Sequence, residues 1–428
     1  MWNSLYRTTS YLRSALWTIP FLAIVLVLAI APALRALDGR LGWRITGLSV
    51  SGAQALYQTV ITLTLSFLVF TFGSLLVALQ VASSQSTPRI IATTLLRNNV
   101  VRYSVGLFVF SLIFAVTGLN RLETTVHEIV TLAIGGLGIA CMATFLFLID
   151  YAARLLRPGS ILARVGDAGL AVIESVYPHQ AGDTFFPPDT GAALPAGRRV
   201  VHHVGASEIV LAVDCATLVR EARRTDGVIE LVPRVGDFVA SGQPLLALYG
   251  AAATIDDRVL RATVAFGPER TMEQDPLFSF RIAVDIALKA LSPAINDPTT
   301  AVIALDQIHR LLRTVGKRQL RGETIADELE HRRLIFRTPN WEDFVCVACT
   351  EIRSYGAGNV QIARRLRAMF DDLTASLPAY RHHALDQESR GLTQMLESLY
   401  AVPEDLALAR LPDLQGLGGS SGARSSTG

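Results

Sequence analysis

Four apolar stretches, approximately Ala15–Leu34, Ala55–Leu79, Val101–Leu119 and Ile129–Ile149, constrain this chain more than any other feature. A bilayer core about 30 Å thick is crossed by roughly 20 apolar residues in a helix. Inside hydrocarbon the backbone must satisfy its own polar groups, so each stretch is expected to be helical. The composition agrees, because half of the 428 residues are hydrophobic and only 18% are charged, too few charges for an ordinary soluble enzyme of this length. The first stretch lacks an A-x-A-like site after its apolar run and is followed by three more, so it reads as an anchor and not a cleaved signal.

Arginines at the span ends sort by side. Arg7, Arg13, Arg89, Arg97, Arg102, Arg154, Arg157 and Arg164 fall on one side, Arg35, Arg40, Arg44 and Arg121 on the other. Positive residues favour the cytoplasm, so both termini are expected on the cytoplasmic side. Net charge is +2, which gives no global field for nucleic acid. Four cysteines in so long a chain, Cys141 within an apolar run, make no disulfide framework and suit a reducing compartment.

The second span carries a pattern. Thr59, Thr62, Ser66, Gly73, Gln80 and Ser84 recur on steps of three and four and share one helical face. Polar groups in a span need partners, so this stripe is expected to face other helices, another subunit or water. Packing by small hydroxyl residues and a water-lined path both fit. No Asp, Glu, Lys or Arg interrupts the middle of a span, which argues against a proton relay. Gly135, Gly136 and Gly138 offer close helix approach in the fourth span. Between spans two and three, a stretch around Pro88 with apolar residues and arginines reads as an interfacial helix.

After Arg164 the periodicity changes. Strand-like runs (LAVIESVY, EIVLAVD, GVIELVP) alternate with Gly and Pro, whereas everything past about Asp275 reads as helices. GVIELVPRVGDFVASGQPLLALYG predicts a strand, a turn at Val235-Gly236-Asp237, a short strand at Phe238-Val239, a turn at Ser241-Gly242 and a strand at Leu245–Tyr249. That string resembles the barrel-sandwich half-motif of biotinyl and lipoyl carriers, without their lysine attachment hairpin. A helix capped by Asp214 is expected between two strands.

The string LSPAINDP asks why two prolines, an Asn and an Asp separate two helix-patterned runs. Asp275-Pro276 and Asp297-Pro298 each pair an N-cap carboxylate with a residue that needs no N–H at the first helical position. The first helix runs from Pro276 to about Leu291, because Ser292 precedes Pro293 and is pushed out of the helical region. The second runs from Pro298 to about Val315. Asp275, Pro276, Ser292, Pro293, Asn296, Asp297 and Pro298 thus define a helix–corner–helix joint, with Arg281, Asp285 and Lys289 as a solvated charged ladder.

DPLFSFRIAVDIALKALSPAINDPTTAV, with FTFGSLLVALQVASSQSTPRI in the second span and EIRSYGAGN near Glu351–Asn359, is similar to the bacterial family known as domain of unknown function 2254. The resemblance spans roughly Leu16 to Leu399. It implies an integral membrane protein with a cytoplasmic region and no assigned activity, and it carries over no catalytic or binding residue. Cys346-Val347-Ala348-Cys349 departs from the family's pattern.

Motifs for enzymatic chemistry are absent: no G-x-G-x-x-G after a strand, Walker A string, G-x-S-x-G or H-E-x-x-H occurs. Cys346 and Cys349 fall in the middle of a helix capped by Asn340, away from the helix N-terminus that would activate a thiol, and read as structural. His202 and His203 point to opposite faces of a strand, a poor metal pair. Further helices are expected at about Thr324–Phe336, Asn340–Tyr355, Asn359–Leu377 and Arg381–Leu399, with Arg364, Arg365 and Arg367 on a solvated side and a disordered Gly/Ser-rich tail.

The expected architecture is therefore a multi-pass α-helical membrane domain of four spans (1–160), followed by a cytoplasmic α+β region. That region divides into a small β-rich, barrel-like domain (161–270), a helical domain (271–402) and a tail (403–428). No cofactor or metal is expected. The partners are the lipid bilayer and further copies of the chain as a homo-oligomer, with a small solute or ion for the stripe. The functional expectation is an oligomeric channel or transporter-like protein with cytoplasmic regulatory domains, or else a membrane-anchored scaffold or sensor.

Overall fold

The computed structural model describes residues 17–41, 47–85, 99–122, 126–155, 157–182, 194–320, 324–328 and 331–419. The chain divides into two compact units, one holding the apolar helices up to Ile161 and one from Leu162 onward.

The first unit contains α1 (Thr18–Leu41), α2 (Val50–Gln85), α3 (Asn99–Leu119) and α4 (Glu128–Leu155). Each includes a segment long and apolar enough to cross a membrane: Thr18–Asp38, Val50–Val77, Asn99–Leu119 and Glu128–Ala152. The four expected apolar helices are therefore present, longer than the apolar runs alone suggested, since backbone pairing continues past the apolar stretch. Helix α3 packs against the other three. Val27, Tyr57, Val60, Phe114 and Ile134 fill one part of the interior, and Leu68, Phe108, Cys141 and Leu148 another. Gly138 is a close-approach position, because a Cβ there would lie 2.8 Å from Val60 Cγ2; Gly136 meets open space. The outer surface is as apolar as the inside, with Phe21, Val69, Leu76 and Ile139 exposed, as expected of helices solvated by lipid tails. The stretch around Pro88 lies outside the described residues.

Most of α5 (Pro158–Val176) belongs to the second unit. The second half of this helix includes LAVIES, expected as a strand. In the longer window Ile161, Val165, Gly169, Ile173 and Tyr177 are buried at steps of four, a helical period that the short β-branched run concealed.

Strands β1 (Arg198–His202), β2 (Glu208–Val213), β3 (Gly227–Leu231), β4 (Phe238–Val239), β5 (Pro244–Gly250) and β6 (Val264–Gly267) follow, with α6 (Cys215–Arg224) and the short α7 (Asp257–Arg261) between them. Asp214 caps α6 by accepting from Thr217 N, as expected. The turns foreseen around Gly236 and Gly242 are also present, both glycines having positive φ (91° and 84°), where a side chain would be strained. The strands form two sheets and no closed barrel among the described residues, so the barrel-like expectation is not carried forward.

Completed by two later strands, β7 (Thr324–Ala326) and β8 (Arg332–Phe336), the five-stranded sheet has the order β1-β5-β3-β8-β7, and the three-stranded one β4-β2-β6. Strands β7 and β8 occupy the region expected as a helix over Thr324–Phe336. Strand β8 runs parallel to β3, with Ile229 opposite Leu334 and Leu231 opposite Phe336. The apolar run Leu-Ile-Phe is too short to show a period, and the strand it joins lies a hundred residues earlier in the chain. This pairing also overrides the expected boundary at 270/271, since one sheet draws strands from both sides of it. Leu218, Ile229, Leu246, Leu248 and Leu334 form its core.

The helical part comprises α8 (Pro276–Ala290), α9 (Pro298–Gly316), α10 (Trp341–Val345), a π turn at Cys346–Thr350, α11 (Glu351–Gly356), α12 (Val360–Ser376), α13 (His382–Leu399) and α14 (Pro403–Ala409). Phe280, Leu305, Phe344, Leu366 and Phe370 are buried among these helices. The arginines of α12 are not solvated as expected. Arg364 is fully buried, its Nη1 donating to the carbonyls of Gly418 and Gly419 and its Nε to that of Leu411. Arg365 donates to Asp306 on α9, and Arg367 to Ser389 and Thr393 on α13. The tail expected from residue 403 is consequently ordered as far as Gly419. Asp413 fastens it further by accepting from Gln415 N, Gly416 N and Gly418 N. Residues 420–428 lie outside the described residues.

Candidate functional site

Two features singled out by sequence were placed by the structure: the stripe on α2 and the joint between α8 and α9. Thr59, Thr62, Ser66, Gly73 and Gln80 are all exposed on the outer side of α2, away from the packed interior of its own unit. The Ser84 side chain lies outside the described residues. Thr59 Oγ1 donates to Ala55 O (2.8 Å), Thr62 Oγ1 to Gln58 O (2.9 Å) and Ser66 Oγ to Thr62 O (2.8 Å). Each hydroxyl is thus satisfied within its own helix, leaving oxygen lone pairs directed outward. No Cβ neighbour lies within 4 Å of Gly73, so the small residue there does not serve packing within the unit.

A different polar set is turned inward, and sequence reasoning missed it. Tyr57 Oη shares a 2.7 Å hydrogen bond with Thr131 Oγ1, tying α2 to α4. Asp38 near the end of α1 is buried, accepts from Ile129 N (2.9 Å), and lies 3.2 Å from His127 Nδ1. It therefore caps the N-terminus of α4 from another helix, where the helix dipole favours a carboxylate. Deeper in the unit the Cys141 thiol donates to Ser111 Oγ at 3.2 Å, with Thr64 and Thr71 also buried. The available signal was Asp38 closing one apolar run and His127-Glu128 opening another, visible in sequence but not as a pair.

The joint has the expected form. Asp275 accepts from Phe278 N (3.1 Å) and Asp297 from Thr300 N (3.0 Å), so both caps are in place. Between them Ser292 Oγ donates to Lys289 O, Asn296 N to Ser292 O, and Asp297 N to Ala290 O (2.7 Å). Asn296 has φ 48°, the left-handed conformation that asparagine tolerates best among residues with a side chain. Pro293, Ala294, Ile295 and Asn296 are exposed at the corner. The EIRSYGAGN stretch lies beside it, since a Cβ on Gly356 would come 3.2 Å from Leu291 Cδ1.

The charged ladder is part of that packing. Arg281 bridges Asp285 on its own helix and Glu351 on α11, and the hydrogen bond from Arg281 holds the Glu351 carboxyl below its ordinary range. Of the two cysteines on the π turn, Cys346 is exposed and Cys349 buried. Burial pushes the Cys349 thiol well above its ordinary value, with the nearby Glu388 carboxylate adding to it, the opposite of what a nucleophilic thiolate requires. His202 is exposed and His203 buried against Phe266, its Nε2 2.7 Å from Ala206 O.

Four helices long and apolar enough to cross a membrane, joined to a mixed α+β unit, mark the chain as a membrane protein. Residues 13–372 match the family model described as Predicted membrane protein (DUF2254), and the chain belongs to that family. It is also similar to uncharacterised proteins of Mycobacterium bovis and Mycobacterium tuberculosis, at 27% identity over 386 residues, covering 83% of this chain and 71% of each relative. No solved structure matches the chain.

Proposed function

We propose that the protein is an inner-membrane homo-oligomer in which the second helices of neighbouring copies meet along the Thr59–Gln80 stripe, and that the assembly passes a small solute or ion. The observation carrying this reading is the outward exposure of Thr59, Thr62, Ser66, Gly73 and Gln80 on a helix whose other side is packed. A polar stripe left facing lipid alone would gain nothing from its outward lone pairs, whereas facing copies bury it or hydrate it. The packed interior of the single unit leaves a conduit to the assembly. Both termini and the unit from Leu162 onward lie on the cytoplasmic side in this reading, with the α+β unit as the regulatory part.

Single cysteines at positions 59, 62 and 66, in a background without the four native cysteines, test it in native membranes. Crosslinks between copies together with labelling by a membrane-impermeant thiol reagent are expected. Absence of both would place the stripe against lipid and remove the proposal. Crosslinks without labelling would keep the oligomer and remove the conduit.

A second reading, a membrane-anchored scaffold or sensor, rests on the exposed corner Pro293–Asn296. Capture of a stoichiometric soluble partner by the full chain, lost on Ile295→Asp, would favour it.

A further inference from the structure

Asp275 does more than start a helix. Its carboxyl is 4% exposed and one oxygen serves the cap, yet Oδ2 accepts no hydrogen bond. What faces Oδ2 is the Arg270 guanidinium, with Nε at 3.4 Å and likewise without a hydrogen-bond acceptor. Arg270 sits in a slot: the Phe278 ring centroid lies 5.9 Å from its Cζ, and a Cβ on Gly236 would overlap both the guanidinium and Asp275 Oδ2.

That turn belongs to the three-stranded sheet: Gly236 N donates to Val210 O and Val210 N to Asp237 O. The other charged groups around the carboxyl are Asp237, whose carboxylate accepts from Arg234 N, and Arg234 itself, paired at 3.2 Å with Asp343 of α10. Glu273 lies on the same loop as Arg270. A buried carboxylate with one oxygen unbonded is costly when charged, and a neutral carboxyl still offers an oxygen to the cap. The two protonation states therefore keep the helix start and differ in their hold on Arg270.

We propose that Asp275 is a proton-operated clasp between the Gly236 turn and the start of α8: charged, it holds Arg270 in the slot; protonated, it keeps the cap and lets the arginine go. Burial, opposed by Arg270 and the cap, raises the Asp275 carboxyl to about 6, so the clasp operates close to neutrality. This inference does not depend on the oligomeric reading of the stripe.

Hydrogen exchange of the full chain in lipid nanodiscs at about pH 5 and about pH 7.5, corrected for intrinsic rates, tests it without any variant. Amides of residues 269–274 are expected to exchange roughly tenfold faster at the lower pH, a change of about 1.4 kcal/mol. Strand β2 should stay protected at both. Asp275→Asn keeps a capping side chain and mimics the neutral form, so its loop should exchange fast at both pH values. Arg270→Met should do the same without touching the cap. Equal exchange of the wild-type loop at the two pH values would overturn the clasp. A wild-type difference persisting unchanged in Asp275→Asn would assign it to another group and overturn it equally.

Discussion

The α2 stripe and helix α12 solve the same problem in opposite ways. Both place polar side chains at helical spacing. On α2 the hydroxyls of Thr59, Thr62 and Ser66 return to their own helix's carbonyls one turn back. On α12, Arg364, Arg365 and Arg367 reach the C-terminal segment, α9 and α13, respectively. A helix in lipid has no water to finish its hydrogen bonds and settles them locally. A helix in an aqueous unit can bury a guanidinium whole when distant carbonyls and carboxylates converge on it. The first arrangement leaves a face free for another molecule; the second ties distant parts of one chain together.

The comparison sharpens most at Arg364. Arg364→Ala strands the carbonyls of Leu411, Gly418 and Gly419, and a loss of about 3 kcal/mol is expected from hydrogen bonds to a buried charge. Chemical denaturation of the unit measures it, and limited proteolysis should release the segment after Ala409. An unchanged midpoint would mean that the tail is not held through this residue.

Tyr57→Phe is the membrane counterpart, because it removes an inter-helix bond where the stripe removes none. It should cost about 1 kcal/mol, read as a lower midpoint of unfolding in mixed micelles.

The α9–α12 contact adds a pH dependence. His309 Nδ1 accepts from Arg365 and its Nε2–H donates to Asp372, an arrangement that suits the neutral ring. Burial lowers its pKa and Arg365 and Arg313 add to that, against the pull of Asp372. The unfolded chain therefore binds this proton first, and stability falls as pH drops below about 6.5. His309→Gln should flatten that part of the pH–stability profile. Asp275 acts in the opposite sense: the folded chain holds its proton up to about 6, so global stability from this group rises on acidification while the Arg270 loop loosens. Asp275→Asn should remove that rise.

Smallest of all is Thr62→Val in the isolated protomer, expected to shift stability by less than about 0.6 kcal/mol because its hydroxyl holds nothing but its own helix. The same substitution should weaken crosslinking between copies. A large effect on protomer stability would show that the stripe packs within one chain.

Much of this organisation is legible without coordinates. Apolar length alone determines the four spans, since the bilayer thickness admits few other solutions. Asp214, Asp275, Asp297 and Asn340 cap helices because a side-chain oxygen and the first free amides are sequence neighbours. The turns at Gly236 and Gly242 follow from the same short range. What only the tertiary structure decided involves residues far apart in the chain: β8 beside β3, the tail over Arg364, Asp38 on the amide of Ile129, the Gly236 turn against Arg270 and Asp275. In each case the free energy comes from a partner whose position depends on how the rest of the chain has packed, and no local period records it.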